Sequence, residues 1–171
     1  EAAQLSGVYR KDRQLMRGRI QAALDVLAGH ELVDEPRIAA IGYCFGGTTV
    51  LELARSGADV AGGVSFHGGL DTPNPADAKQ IKGQVLVLHG AEDRFVAPEH
   101  ITAFEREMQE AGVNYRLIRY EGAVHSFTVP EAGNDPAAGI AYHPDADRRS
   151  WEAMREFLDQ IFSLSDVRHI G

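Results

Sequence analysis

One hexapeptide, Gly42-Tyr43-Cys44-Phe45-Gly46-Gly47, restricts what this chain can fold into more than any other feature of its sequence. It follows a short apolar run from Arg37 to Tyr43 that reads as a buried strand. It precedes the segment Thr48 to Ala54, which reads as a helix ended near Gly57. A strand that turns directly into a helix needs a tight bend, and flanking glycines let the two backbones approach without Cβ clashes. Cys44, at the bend, is pointed away from the sheet. Its sulfur also lies at a helix N-terminus, where unpaired N–H groups and the helix dipole favour a thiolate by about 0.3–1 kcal/mol. This is the form of a nucleophile elbow, G-x-S-x-G, with cysteine in place of serine. The Phe45 N–H is then placed as one oxyanion donor.

The rest of the chain supplies a setting for such a bend. Val60 to Phe66, Gln84 to Leu88 and Asn114 to Tyr120 read as further strands, and Asp12 to Gly29, Pro98 to Ala111 and Arg149 to Phe162 as amphipathic helices. In the last of these, Trp151, Met154, Leu158 and Ile161 are expected to face inward. Asp71 to Asp77, with two prolines, and Glu121 to Asp145 read as loops. Strands alternating with helices imply crossover connections. The expected fold class is therefore α/β, a three-layer α/β/α sandwich with a mainly parallel sheet, formed as one domain over residues 1–171. Four parallel strands leave an apolar edge, so further N-terminal strands, absent here, or a second copy in a homodimer are expected to cover it.

Bulk properties narrow the partners. Apolar residues make up 44% of the 171 and the formal net charge is −8, a balance that argues against a nucleic acid or an anionic membrane surface as partner. The one cysteine excludes an intrachain disulfide and fits a reducing, cytoplasmic compartment. No apolar run approaches the ~20 residues needed to span a bilayer. No H-x-x-x-H or H-E-x-x-H spacing occurs, so neither a metal nor another cofactor is expected.

An elbow needs a base and an acid, and both are found after strands. His89-Gly90-Ala91-Glu92-Asp93 follows the third strand, and Glu121-Gly122-Ala123-Val124-His125-Ser126-Phe127 the fourth. Cys44, the acid and His125 thus fall at the carboxyl ends of strands, where open α/β sheets place their sites. Glu92 competes with Asp93 for the orienting role, and the pattern H-G-x-x-D favours Asp93. The order nucleophile, acid, base is that of α/β-hydrolases.

At this point the sequence resembles a known family. G-Y-C-F-G-G, H-G-A-E-D-R-F-V and V-H-S-F, followed by Tyr142, Pro144 and the Trp151 helix, are similar to dienelactone hydrolases from about Arg37 onward. The resemblance implies a small-molecule ester or lactone substrate, Cys44 as nucleophile, His125 as base, Asp93 as orienting acid and a thioester intermediate. It also implies further strands upstream, carrying the second oxyanion donor and a glutamate that contacts the resting cysteine. The family archetype has an arginine four residues after the catalytic histidine, to bind a substrate carboxylate. This chain has Val129 there. A general ester or lactone is therefore expected rather than dienelactone itself.

Other residues invite a role. Phe95, Phe127 and His67 adjoin the predicted site and are expected to line the substrate pocket. His67-Gly68-Gly69 has the look of an oxyanion H-G-G but follows the elbow instead of preceding it, so a tight turn near the pocket is the expected role. His89 is expected to be a packed, hydrogen-bonded core residue, and His100, His143 and His169 surface residues. Arg94 is placed to meet an anionic substrate or a surface acid. A glutamine amidotransferase, which also mounts cysteine on an elbow, would need a glutamate two residues after the histidine, where Phe127 stands. The non-enzymatic alternative is a hydrolase-like binding or assembly module that has lost catalysis.

Overall fold

The structure is a computed structural model that describes residues 2–167, with side chains from 4 to 163. His169 lies outside the described residues. Helices α1 (Ala2–Lys11) and α2 (Arg13–Ala28) meet at Asp12, whose side chain accepts from the Leu15 N–H and caps α2. There follow β1 (Ala39–Tyr43), α3 (Phe45–Arg55), β2 (Gly62–Phe66), β3 (Gln84–Gly90), α4 (Pro98–Ala111), β4 (Tyr115–Tyr120) and α5 (Pro144–Val167). The strands are all parallel, in the order β1-β2-β3-β4.

Alternation along β3 shows how the layers form. Val85 and Val87 pack with Ile101, Phe104 and Met108 of α4 and Leu51 of α3. Leu86 and Leu88, with Val64 and Phe66 of β2, pack on the opposite face against Met154, Phe157 and Ile161 of α5. Both faces are covered, which is why the parallel strands read as continuous apolar runs. α2 lies outside α3, closing a third cluster around Ile38, Leu53 and Val60. β1 is an edge strand, with Ile41 and Tyr43 partly exposed. No described helix is long and apolar enough to cross a membrane.

Several expectations are corrected. α3 starts at Phe45, directly after the bend, rather than at Thr48. α5 starts at Pro144 rather than Arg149: proline suits a first turn, Asp145 and Asp147 favour the positive dipole end, and His143 Nδ1 accepts from the Ala146 N–H. His143 is thus a helix-capping residue, not a free surface one. The inward stripe of α5 is Met154, Phe157 and Ile161, while Trp151 is exposed. The segment after β4 is not a simple loop, since His125 pairs with Ile140 in an isolated bridge and two 3-10 turns, Pro130–Ala132 and Pro136–Ala138, shape it.

Buried charge ties the helices together. Arg55, fully buried at the end of α3, donates to both carboxylate oxygens of Glu107 in α4 at 2.8 Å, to Glu52 at 3.0 Å and to the Leu70 carbonyl at 3.1 Å. Arg17 of α2 donates to Glu52 at 2.8 Å and to Asp77 at 2.6 Å. Nothing in the sequence pattern announces this network.

Candidate active site

The bend between β1 and α3 leaves no room for a side chain at Gly42 or Gly47. A Cβ on Gly42 would overlap the backbone of Gly46, and one on Gly47 would come within 2.6 Å of Ser65 Oγ. Cys44 itself is held at φ 51°, ψ −117°. Among the described residues, three non-glycine positions have positive φ: Cys44 (51°), His67 (38°) and Ser126 (60°). All three meet at one sulfur. His67 Nδ1 is 3.3 Å and Ser126 Oγ 3.5 Å from Cys44 Sγ. Such backbone costs about 1–3 kcal/mol per residue and persists only where the surroundings enforce it.

Parallel register explains the first meeting. Tyr43 pairs with Phe66, so Cys44 and His67 stand side by side one residue further on, and the Cys44 N–H donates to the Phe66 carbonyl at 3.0 Å. His125 approaches from the segment after β4. The Cys44 sulfur and a ring nitrogen from each of His67 and His125 all lie within 4.8 Å of one another. Behind His125, its Nδ1 is bonded to Asp93 Oδ2 at 2.9 Å, and Asp93 Oδ1 accepts from the Phe95 N–H at 2.9 Å. The carboxylate is fully buried and the imidazole 19% exposed. Glu92 points elsewhere, accepting from the Gly122 N–H at 2.9 Å.

These contacts act on protonation. Burial by itself would raise the Cys44 thiol, but hydrogen bonds from His125, His67 and Ser126 outweigh it and bring the group from 9.0 down to about 5. Burial likewise opposes charge on His125, and its bonds to Asp93 and Cys44 override that, lifting it from 6.5 to about 9. Around neutral pH the pair therefore rests as thiolate and imidazolium.

The remaining predicted residues divide. Phe95 is 64% exposed and its ring stands 5.0 Å from that of His125, at the rim of the site. Phe127 does not line a pocket: it is fully buried, edge-on to His67 and tilted against Tyr120, because the positive φ of Ser126 turns the following residue into the core. Phe45 is half-buried beneath the Arg10 guanidinium. His89 is buried, but neither ring nitrogen has a hydrogen-bond partner, and burial holds it below the ordinary imidazole range. His100 and Arg94 are exposed. Beside the elbow, Tyr9, Met16, Arg19, Ile20, Phe45 and Thr49 line a cleft of about 220 Å³.

The chain and its fold match known proteins. The model of the dienelactone hydrolase family matches residues 2–162. The chain belongs to the dienelactone hydrolase family. Among solved structures, m3DLH superposes with a TM-score of 0.86 at 47% identity, over 91% of this chain and 65% of that one, and shares the α/β-hydrolase fold. Among curated sequences, an uncharacterized protein from Caenorhabditis elegans is 34% identical over 86% of this chain and 95% of its own length. A protein from Bradyrhizobium sp named as a probable 2-oxo-3-(5-oxofuran-2-ylidene)propanoate lactonase is 30% identical over 82% of this chain and 56% of its own. Relative to m3DLH and the lactonase, then, this member of the dienelactone hydrolase family spans about two-thirds and about half the length.

Proposed function

We propose that this chain hydrolyses a small carboxylic ester or lactone by acyl transfer through Cys44, with His125 as proton carrier and Asp93 as its orienting acid. The observation that carries the reading is the line from sulfur to imidazole to buried carboxylate, with the His125–Asp93 bond at 2.9 Å. The values of about 5 and about 9 belong to the coupled pair and leave the sulfur ionised and the ring protonated between them.

The chemistry follows from that resting state. The thiolate attacks the carbonyl carbon, and the displaced π electrons settle on oxygen, where the Phe45 N–H in the first turn of α3 donates to them. When the tetrahedral species collapses, the leaving alkoxide takes the proton from His125 and a thioester remains on Cys44. Neutral His125 then removes a proton from a water attacking the thioester, and the second collapse releases the acid and restores the ion pair. Asp93 fixes the ring so that Nε2 faces the sulfur. General acid–base help of this kind is worth roughly 10²–10⁴-fold, and one oxyanion donor about 10²–10³-fold.

Substrate class rests on family and on one side chain. Val129 offers no charge to a substrate carboxylate, which favours an uncharged ester or lactone, and the cleft beside Phe45 suits its apolar portion. The test is to mix the protein with an aryl acetate, follow the aryl alcohol released, and weigh the quenched protein. One rapid equivalent of alcohol with an acetyl group on Cys44 is expected. Absence of that adduct, together with an inert sulfur toward iodoacetamide at neutral pH, would overturn the reading in favour of a binding module.

A further inference from the structure

The proposed reaction uses one imidazole at the sulfur, yet two are present. His67 is fully buried, with Nδ1 3.3 Å from both the Cys44 amide nitrogen and Sγ, and Nε2 2.9 Å from Thr128 Oγ1. With the ring proton on Nε2, Nδ1 offers a lone pair beside Sγ. In that tautomer the lone pair and a thiolate 3.3 Å away repel unless something positive lies between them.

We propose that Cys44 Sγ, His67 Nδ1 and His125 Nε2 form a binding site for one Zn²⁺ ion, and that its occupancy switches the nucleophile off. One thiolate and two imidazoles form a ligand set that zinc favours. Zn–S of ~2.3 Å and Zn–N of ~2.1 Å at a tetrahedral angle put sulfur and nitrogen about 3.6 Å apart, close to the 3.3 Å between Cys44 and His67. The third nitrogen lies within 4.8 Å and belongs to a partly exposed ring held from behind by Asp93. The groups behind the ligands suit a metal as well. Histidine ligands normally bond through their second nitrogen to a carboxylate, carbonyl or similar acceptor, which fixes the tautomer. His125 does so to Asp93 and His67 to Thr128. In the binding step the ion takes a lone pair from each of the three atoms, and the proton shared by Cys44 and His125 leaves to solvent. The sulfur lone pair that would attack a carbonyl is then engaged by the metal.

This site goes beyond the hydrolase reading and can be tested without turnover. Chelator-stripped full chain is titrated with Co²⁺ while the thiolate-to-cobalt charge-transfer absorption is followed, and the cobalt is then displaced with Zn²⁺. One equivalent is expected, with the absorption absent in Cys44→Ala and Zn²⁺ affinity at least tenfold weaker in His67→Phe. Thr128→Val leaves all three ligands in place and removes only the hydroxyl behind His67. It is expected to weaken Zn²⁺ by about tenfold, and it carries the test should His67→Phe fail to fold. Zn²⁺ at one equivalent is also expected to slow iodoacetamide labelling of Cys44 at least tenfold, reversed by EDTA. Absence of the charge-transfer absorption, or unchanged Zn²⁺ affinity in Thr128→Val, would overturn the site. Cobalt binding without any acetyl adduct would instead overturn the hydrolase and leave the metal site standing.

Discussion

Helix α3 connects two buried polar clusters that handle charge in opposite ways. At its C-terminal end Glu52 and Arg55, with Arg17, Asp77 and Glu107, form a network in which every formal charge meets an opposite one at 3.0 Å or less on regular backbone. At its N-terminal end Cys44 meets His67, His125 and Ser126, with three of these four residues in left-handed backbone conformations and with two pKa values displaced in opposite directions, past each other. The first cluster fastens α2, α3 and α4 to one another. The second has a polarised sulfur at a half-buried surface. Burial of charge alone therefore does not mark a site; a polarised sulfur on strained backbone does.

The largest expected effects separate the two ends. Cys44→Ala should lower ester turnover by about 10⁴-fold or more, while the urea midpoint reports stability within about 0.5 kcal/mol of the parent. Arg55→Met should do the reverse. It strands Glu107 in the interior, leaves Glu52 with Arg17 alone, and should cost about 3–5 kcal/mol of unfolding free energy, with the folded fraction still alkylated at Cys44 at the parent rate. An Arg55→Met protein whose folded form alkylates several-fold more slowly would show that the network sets the sulfur's chemistry through α3, and the division would fail.

Asp93→Asn comes next. The amide cannot balance an imidazolium and can turn its NH₂ toward Nδ1, so turnover should drop by about 10²–10⁴-fold. The pH profile sharpens the cause. A thiol at about 5 is already ionised at neutral pH, so iodoacetamide labelling of Cys44 should be flat from about pH 6 upward and fall as pH drops through about 5. An ordinary thiol would keep gaining rate up to pH 9. Ester turnover needs the thiolate and the imidazolium together, so it should show a second, falling limb near pH 9 as His125 loses its proton. In Asp93→Asn that upper limb should move to lower pH, because the partner that raises His125 has lost its charge. Profiles measured with a chelator present exclude any contribution from adventitious metal. A labelling rate that climbs steadily to pH 9 in the parent would remove the ion pair.

The sequence made one of these ends legible and hid the other. Cys44, Asp93 and His125 stand out because glycines and apolar runs mark the strand ends on which they sit. His67 was legible as a strand-end turn lining the substrate pocket, but not as a partner of the sulfur. Its contact with the sulfur depends on the register of β1 against β2, and a single strand does not encode register. The signal was the His-Gly-Gly after β2, one residue past the partner of Tyr43. The network of Arg17, Glu52, Arg55, Asp77 and Glu107 was not legible at all, since its bonds link residues as far as 60 apart in the chain and each member reads alone as solvated charge. Phe127 misled because adjacency to a catalytic position says nothing of direction, and the positive φ at Ser126 reverses it. Trp151 misled because residues 151, 154, 158 and 161 fit a helical stripe, whereas α5 seats Phe157 toward β2 and β3 instead.

The smallest expected effect tests whether two adjacent carboxylates differ as their surroundings imply. Glu92 is exposed, and its one bond is to the Gly122 N–H, an interaction that spans the loops after β3 and β4. In Glu92→Gln the amide oxygen can still accept that bond, so turnover should stay within about twofold and stability within about 0.5 kcal/mol, the range of ordinary surface substitutions. The pH limbs near 5 and 9 should not move, because Glu92 is not among the groups that shift Cys44 or His125. The contrast with Asp93→Asn is sharp for neighbours in the chain: one carboxylate is buried with both oxygens engaged, the other is solvated and exchangeable. If Glu92→Gln moved the upper limb as far as Asp93→Asn, the charge felt by His125 would be shared across both residues, and the assignment of a single orienting acid would have to be given up.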